Sequence, residues 1–118
     1  MSVIIQQGPL ALFFAFVVIH ALADFPLQGD YIARQKSRTL ADSRGDWIVA
    51  LVAHCVIHAG GVWLVSGSLA LAGAEFLLHG LIDLGKGEEK FGIATDQIFH
   101  VLCKVAYVLV LTHGGGAL

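Results

Sequence analysis

Ala74 to Lys86 reads A-E-F-L-L-H-G-L-I-D-L-G-K. Glu75, His79 and Asp83 recur at i, i+4 and i+8, so on a helix they form a single slowly drifting stripe, and everything between them is apolar or glycine. On a water-facing helix such a stripe is ordinary. Inside a bilayer it is costly and must be matched by polar partners on other helices. The same i,i+4 spacing returns as His20/Asp24, His54/His58 and Asp96/His100, so four apolar segments each carry a pair of side chains of metal-ligand type.

Composition places those segments in a membrane. The chain has 118 residues, 57% hydrophobic and 14% charged, with a mean hydropathy of +0.78. A soluble domain runs nearer half apolar and about a quarter charged. An all-α integral membrane protein is the class this implies, with the lipid bilayer as its main partner. The formal net charge of -2 gives no basic footprint for nucleic acid. Cys55 and Cys103 lie inside apolar segments without paired spacing, so they read as small apolar fillers.

Taken in order, four spans are expected in one polytopic domain over residues 1–118: about 8–27, 47–65, 69–85 and 93–112. At about 1.5 Å per residue each is long enough to cross the hydrocarbon. Ala21-Leu22-Ala23 imitates a signal cleavage site, yet no Lys or Arg precedes the apolar run, and cleavage would part His20 from Asp24. A retained span is therefore expected. Pro26 should break or kink it, and residues 27–45 read as a surface segment. Trp47 and Trp63 fit interfacial anchors, Ser66-Gly67-Ser68 a tight turn, and Ala70, Ala72, Gly73 and Ala74 a site of close helix approach. Gly114 to Gly116 need no structure.

Orientation follows from the basic residues. Arg34, Lys36, Arg38 and Arg44 lie in the first connection and Lys86 and Lys90 in the third, while the second connection carries none. Those loops should face the cytoplasm, giving a four-helix bundle with N-out/C-out topology. Counting inward from them places His20, His54, His79 and His100 in one layer roughly 10 to 13 Å deep. Asp24, Asp83 and Asp96 fall nearer the mouth at roughly 5 to 6 Å, and His58, Glu75 and Lys104 deeper at roughly 16 to 18 Å.

Imidazole and carboxylate together suit zinc, iron or manganese, with zinc favoured. The candidate ligands are His20, Asp24, His54, His58, His79, Asp83, Asp96 and His100, more than one ion needs, so the set implies one or two divalent ions. Glu75, Gln28, Gln97, Lys86 and Lys104 are candidates for the shell around them, with Glu75 and Lys104 expected to pair. Asp24 and Asp96 are the candidate general bases, since each stands one turn outside a layer histidine, whereas Asp83 is followed closely by Lys86 and is expected to be paired.

H-A-L-A-D-F-P-L-Q-G-D-Y-I-A-R-Q-K (His20 to Lys36), H-C-V-I-H (His54 to His58), H-G-L-I-D-L-G-K (His79 to Lys86) and D-Q-I-F-H (Asp96 to His100) together resemble the uncharacterised bacterial and phage membrane family known as domain of unknown function 3307. The resemblance runs from His20 to His100. It implies a small polytopic protein of the bacterial inner membrane that shares these residues, and it supplies no reaction. The ligand style also resembles, more distantly, that of membrane-bound metal-dependent hydrolases.

The expected activity is therefore metal-dependent hydrolysis of an anionic lipid or phosphorylated substrate at the cytoplasmic leaflet. Two alternatives stand beside it: a divalent metal transporter or sensor, and a non-catalytic membrane subunit held together by a structural polar network worth less than about 2 kcal/mol per hydrogen bond. Against transport, the stretch Val108 to Leu111 would be dry. Nothing in the sequence excludes a homo-oligomer.

Overall fold

The computed structural model describes residues 3–42 and 45–114. Among them the protein is all-α, with six helices and no strand: α1 (Val3–Gln6), α2 (Pro9–Asp24), α3 (Gly29–Gln35), α4 (Asp46–Ser66), α5 (Leu69–Gly87) and α6 (Ile93–His113). Arg44 and the glycines Gly115 and Gly116 lie outside the described residues.

Local sequence sets the boundaries. Pro9 opens α2 at a position where its missing N–H costs nothing. At the other end the helix stops short of Pro26, and the chain turns through 86° into α3. The expected first segment thus ends as a helix at Asp24 rather than near residue 27. Ser66 Oγ donates to Val62 O at 2.7 Å and accepts from Ser68 N at 3.0 Å, while Ser68 Oγ caps α5 by accepting from Leu71 N at 3.1 Å. Gly67 between them sits at φ 71°, a conformation that favours glycine, and this makes the turn sharp.

The four longer helices close a ring in which α2 and α5 are each flanked by α4 and α6. The tight approach lies at Gly61, where a Cβ would run into Ile19 Cγ2 across the α2–α4 contact. Gly73, expected to serve that purpose, is exposed with nothing near it. Leu12, Phe16, Val62, Val65, Leu71, Tyr107 and Val108 fill one end of the ring with an apolar core. The other end is filled by histidines and carboxylates.

Helices α4 and α6, 21 residues each, are long and apolar enough to cross a membrane, and the bent pair α2 and α3 reaches that standard together. Helix α5 is the one carrying Glu75, Asp83 and Lys86. Large apolar side chains such as Leu10, Phe14, Val49, Leu64, Leu69 and Leu81 point outward and are exposed. The segment after α2 does more than cover a surface. Helix α3 packs on α4, Gln35 and Ser37 are buried, and Gln35 holds the loop by donating from Nε2 to Asp42 Oδ2 at 2.6 Å.

Candidate metal centre

Each helix of the ring delivers its i,i+4 pair to the same interior. His20 and Asp24 come from α2, His54 and His58 from α4, Glu75, His79 and Asp83 from α5, and Asp96 and His100 from α6. His54, His58, His79, Glu75 and His100 are exposed by at most 1%. Five imidazoles gather into one cluster: His79 stacks between His58 at 3.6 Å and His100 at 4.2 Å, and His20 and His54 stand 5.1 and 4.6 Å from His58, centroid to centroid. His58 therefore belongs with the other four rather than a turn deeper. Side chains on a helix lean toward its N-terminus, and α4 begins at the polar end, so the ring of His58 is carried back toward the layer.

Carboxylates border the rings on both sides. Toward the α3 end, Asp24 Oδ1 lies 2.9 Å from His58 Nε2 and 3.2 Å from His54 Nε2, and its Oδ2 lies 3.1 Å from His20 Nε2. Asp83 Oδ1 is 3.2 Å from His100 Nε2, and its Oδ2 is 3.4 Å from both His54 Nε2 and His79 Nε2. On the opposite side Glu75 Oε1 lies 3.2 Å from His79 Nδ1 and accepts from Lys104 Nζ at 2.7 Å, while Oε2 accepts from Tyr107 Oη at 2.7 Å. The expected pairing of Glu75 with Lys104 is present.

Three sets of side chains bring ligand atoms within 4.8 Å of one another: Asp24, His54, His58 and His79; His20, His79 and His100; and Asp83, Asp96 and His100. The first and third sets share no residue. His79 has the geometry of a metal ligand held by a carboxylate behind it, with Nδ1 on Glu75 and a buried Nε2 that has no hydrogen-bond partner among the described residues. Asp96 Oδ1 is likewise buried without a hydrogen-bond partner. Buried polar atoms without a hydrogen bond are rare in folded proteins, and His20 Nδ1, His54 Nδ1, His79 Nε2 and Asp96 Oδ1 all belong to residues of these three sets.

A family model matches residues 12–116, that is 105 of the 118 positions. The chain belongs to the family described as protein of unknown function (DUF3307). No curated protein and no solved structure matches it. The four motifs that carried the resemblance are the segments that supply this centre in the DUF3307 chain.

Two participants were not singled out by spacing. Lys36, read as part of a loop cluster that signals orientation, turns inward and donates to Asp83 Oδ2 at 2.7 Å and to His54 Nε2 at 3.3 Å. Its neighbours point elsewhere, Arg34 to Asp42 and Arg38 to Glu88. The available signal was a charge count, since the three aspartates near the mouth had only Lys86 within four residues. Lys86 itself stands 3.9 Å from Asp96 Oδ2, so the neighbour expected to pair with Asp83 goes to Asp96 instead. Tyr107 was hidden by its apolar context.

Of the other candidates, Gln97 lies at the centre: its Oε1 is 3.2 Å from His20 Nε2, and its Nε2 donates to Asp24 Oδ2 and Asp96 Oδ2 at 3.2 and 3.1 Å. Gln28 reaches only the backbone carbonyl of Asp24, at 3.0 Å. Outside the helix ring, the two-pronged hydrogen bond from Arg38 holds the Glu88 carboxyl below its ordinary range and ties the α3 loop to the end of α5. Beneath that loop a cavity of about 160 Å³, lined by Lys36, Ser37, Thr39, Asp83, Lys86 and Glu89 among others, reaches from the surface to Asp83.

Proposed function

We propose that this chain is a four-helix bundle of the bacterial inner membrane, one domain with the α3 end facing the cytoplasm and both termini outside. Its polar end is a divalent metal centre, zinc in preference to iron or manganese, that hydrolyses an anionic lipid or phosphorylated substrate. One observation carries the metal reading: the buried His79 ring, fixed through Nδ1 by Glu75, gathers with Asp24, His54 and His58 at metal-ligand spacing, and its Nε2, 3.4 Å from Asp83 Oδ2, makes no hydrogen bond. A purely structural network pairs the large majority of such atoms.

Roles follow from how each carboxylate is occupied. Both oxygens of Asp24 are within reach of histidines, so it is the ligand. Asp96 Oδ1 makes no hydrogen bond and has one histidine, His100 Nε2 at 3.4 Å, beside it, and Asp96 is the general base. It takes the proton of the attacking water as that water's oxygen bonds to the phosphorus or acyl carbon and the bond to the leaving oxygen breaks. A metal ion held by Asp24, His54, His58 and His79 would supply Lewis-acid polarisation and a more acidic water. The cavity beneath the α3 loop, with Lys86 on its wall, gives an anionic group an approach from the cytoplasmic leaflet. Transport is less well supported, because the apolar core at the other end of the ring offers no polar route onward.

Freshly purified, detergent-extracted protein should contain about one to two divalent ions per chain, lost on chelation and in His54→Ala or His79→Ala. Elemental analysis that finds none returns the cluster to a structural role. Orientation is checked separately with a reporter fused at Lys90, which should read cytoplasmic. An external reading there reverses the assignment of the site to the cytoplasmic side.

A further inference from the structure

Four carboxylates meet inside the ring, and they are not equally neutralised. Glu75 has Lys104 at 2.7 Å, Asp83 has Lys36 at 2.7 Å and Asp96 has Lys86 at 3.9 Å. Asp24, with its side chain 9% exposed, has three histidines and no lysine or arginine within ion-pair distance among the described residues. In a medium of low dielectric an uncompensated carboxylate is expensive. The place where a divalent charge is wanted is therefore Asp24, and the four-residue set around it offers the ligand number of a zinc site.

The third set, Asp83, Asp96 and His100, is already supplied with positive charge. Lys36 Nζ sits on the Asp83 oxygen that faces His54 and His79, with its side chain 13% exposed. Its reach is fixed by the fold, since Lys36 caps the C-terminal end of the short helix α3 that follows the bend after α2. His54 Nε2 stands between the two sets, 3.2 Å from Asp24 Oδ1, 3.4 Å from Asp83 Oδ2 and 3.3 Å from Lys36 Nζ. One ring nitrogen offers a single proton or a single lone pair, so it cannot serve both carboxylates and accept from the ammonium as well. A cation on the Asp24 side relieves that conflict and leaves Asp83 to Lys36.

We propose that the Lys36 ammonium serves as the second cation of the centre, so that the chain holds one divalent ion, on Asp24, His54, His58 and His79, rather than two. The ammonium balances Asp83 and keeps the remaining set from taking an ion of its own. This rests on the metal reading above, and the two fail differently.

The experiment counts zinc per chain in protein equilibrated with zinc, passed through a desalting column and analysed for the element. Wild type should hold about one ion, Lys36→Arg about one, and Lys36→Met about two, because removing the ammonium frees Asp83, Asp96 and His100. No ion in the wild type overturns the metal reading and this inference with it. Two ions in the wild type, or one in Lys36→Met, leave the metal reading standing and overturn the role of Lys36. Should Lys36→Met fail to fold, Asp83→Asn decides: it keeps its ion if the ion belongs to the Asp24 set, and its loss there would place the ion on Asp83 and overturn the inference.

Discussion

The two ends of the helix ring are built from the same four helices and held together in opposite ways. At one end Leu12, Phe16, Val62, Val65, Leu71 and Val108 meet with no hydrogen bond between their side chains. At the other, polar side chains bridge the helices, from Asp24 to His54 and His58 or from His100 to Asp83. In the bilayer proposed above, lipid is as apolar as leucine, so the first end would gain little from burial as such and would be held by shape and dispersion. The second end is expensive in a bilayer unless each group is matched. A chain needing only to stay folded would extend the first kind of packing along its length. That it abandons it over half the ring supports a chemical use for the polar half.

The largest expected effect comes from opening the apolar end. Phe16 is fully buried and meets the Tyr107 ring edge-on at 5.9 Å. Phe16→Ala should lower the stability of the detergent-solubilised protein by about 2 to 3 kcal/mol, mainly the cavity part of a large-to-small change. Metal affinity of the folded fraction should change little, because the only link from Phe16 to the centre among these contacts is the Tyr107 ring, whose hydroxyl bond to Glu75 is retained. Denaturant unfolding and a metal titration on the same sample separate the two. A parallel loss of metal affinity would show that the ends are not independent.

How much of this was legible depends on the length scale of each feature. Periodic apolar runs and the i,i+4 pairs are local, and the helices over 46–66, 69–87 and 93–113 begin and end within two residues of the expected segments. The convergence of His20, His54, His79 and His100 followed from counting along straight helices. What escaped was set by side-chain reach and by chain direction in the connections. Lys36 enters because the chain bends after α2 and α3 packs back on α4, which no periodicity encodes. His58 rises into the layer through the lean of side chains toward a helix N-terminus. Tyr107 looked apolar because its ring does pack in the core, and only its hydroxyl crosses to the polar end.

That border, where Glu75 meets Lys104 and Tyr107, gives the smaller and sharper test. Two readings compete for Glu75: it belongs to an ion pair that joins α5 to α6, or it is the carboxylate that orients and polarises His79. Removing Glu75 alone would strand the Lys104 charge and destabilise the protein under either reading. The double variant Glu75→Gln/Lys104→Met removes both charges together and nearly preserves volume, a change that is often neutral for a buried pair. With its oxygen in the place of Oε1 the amide still accepts from His79 Nδ1, and its nitrogen in the place of Oε2 donates to Tyr107 Oη, so hydrogen bonding survives and the negative charge behind the imidazole does not. Metal affinity, measured by competition with a chelator, should then fall by about 10-fold, the lower end of what loss of such a partner costs, with little change in unfolding. Unchanged affinity would assign Glu75 to the ion pair alone and show that the charge behind His79 does not tune the metal.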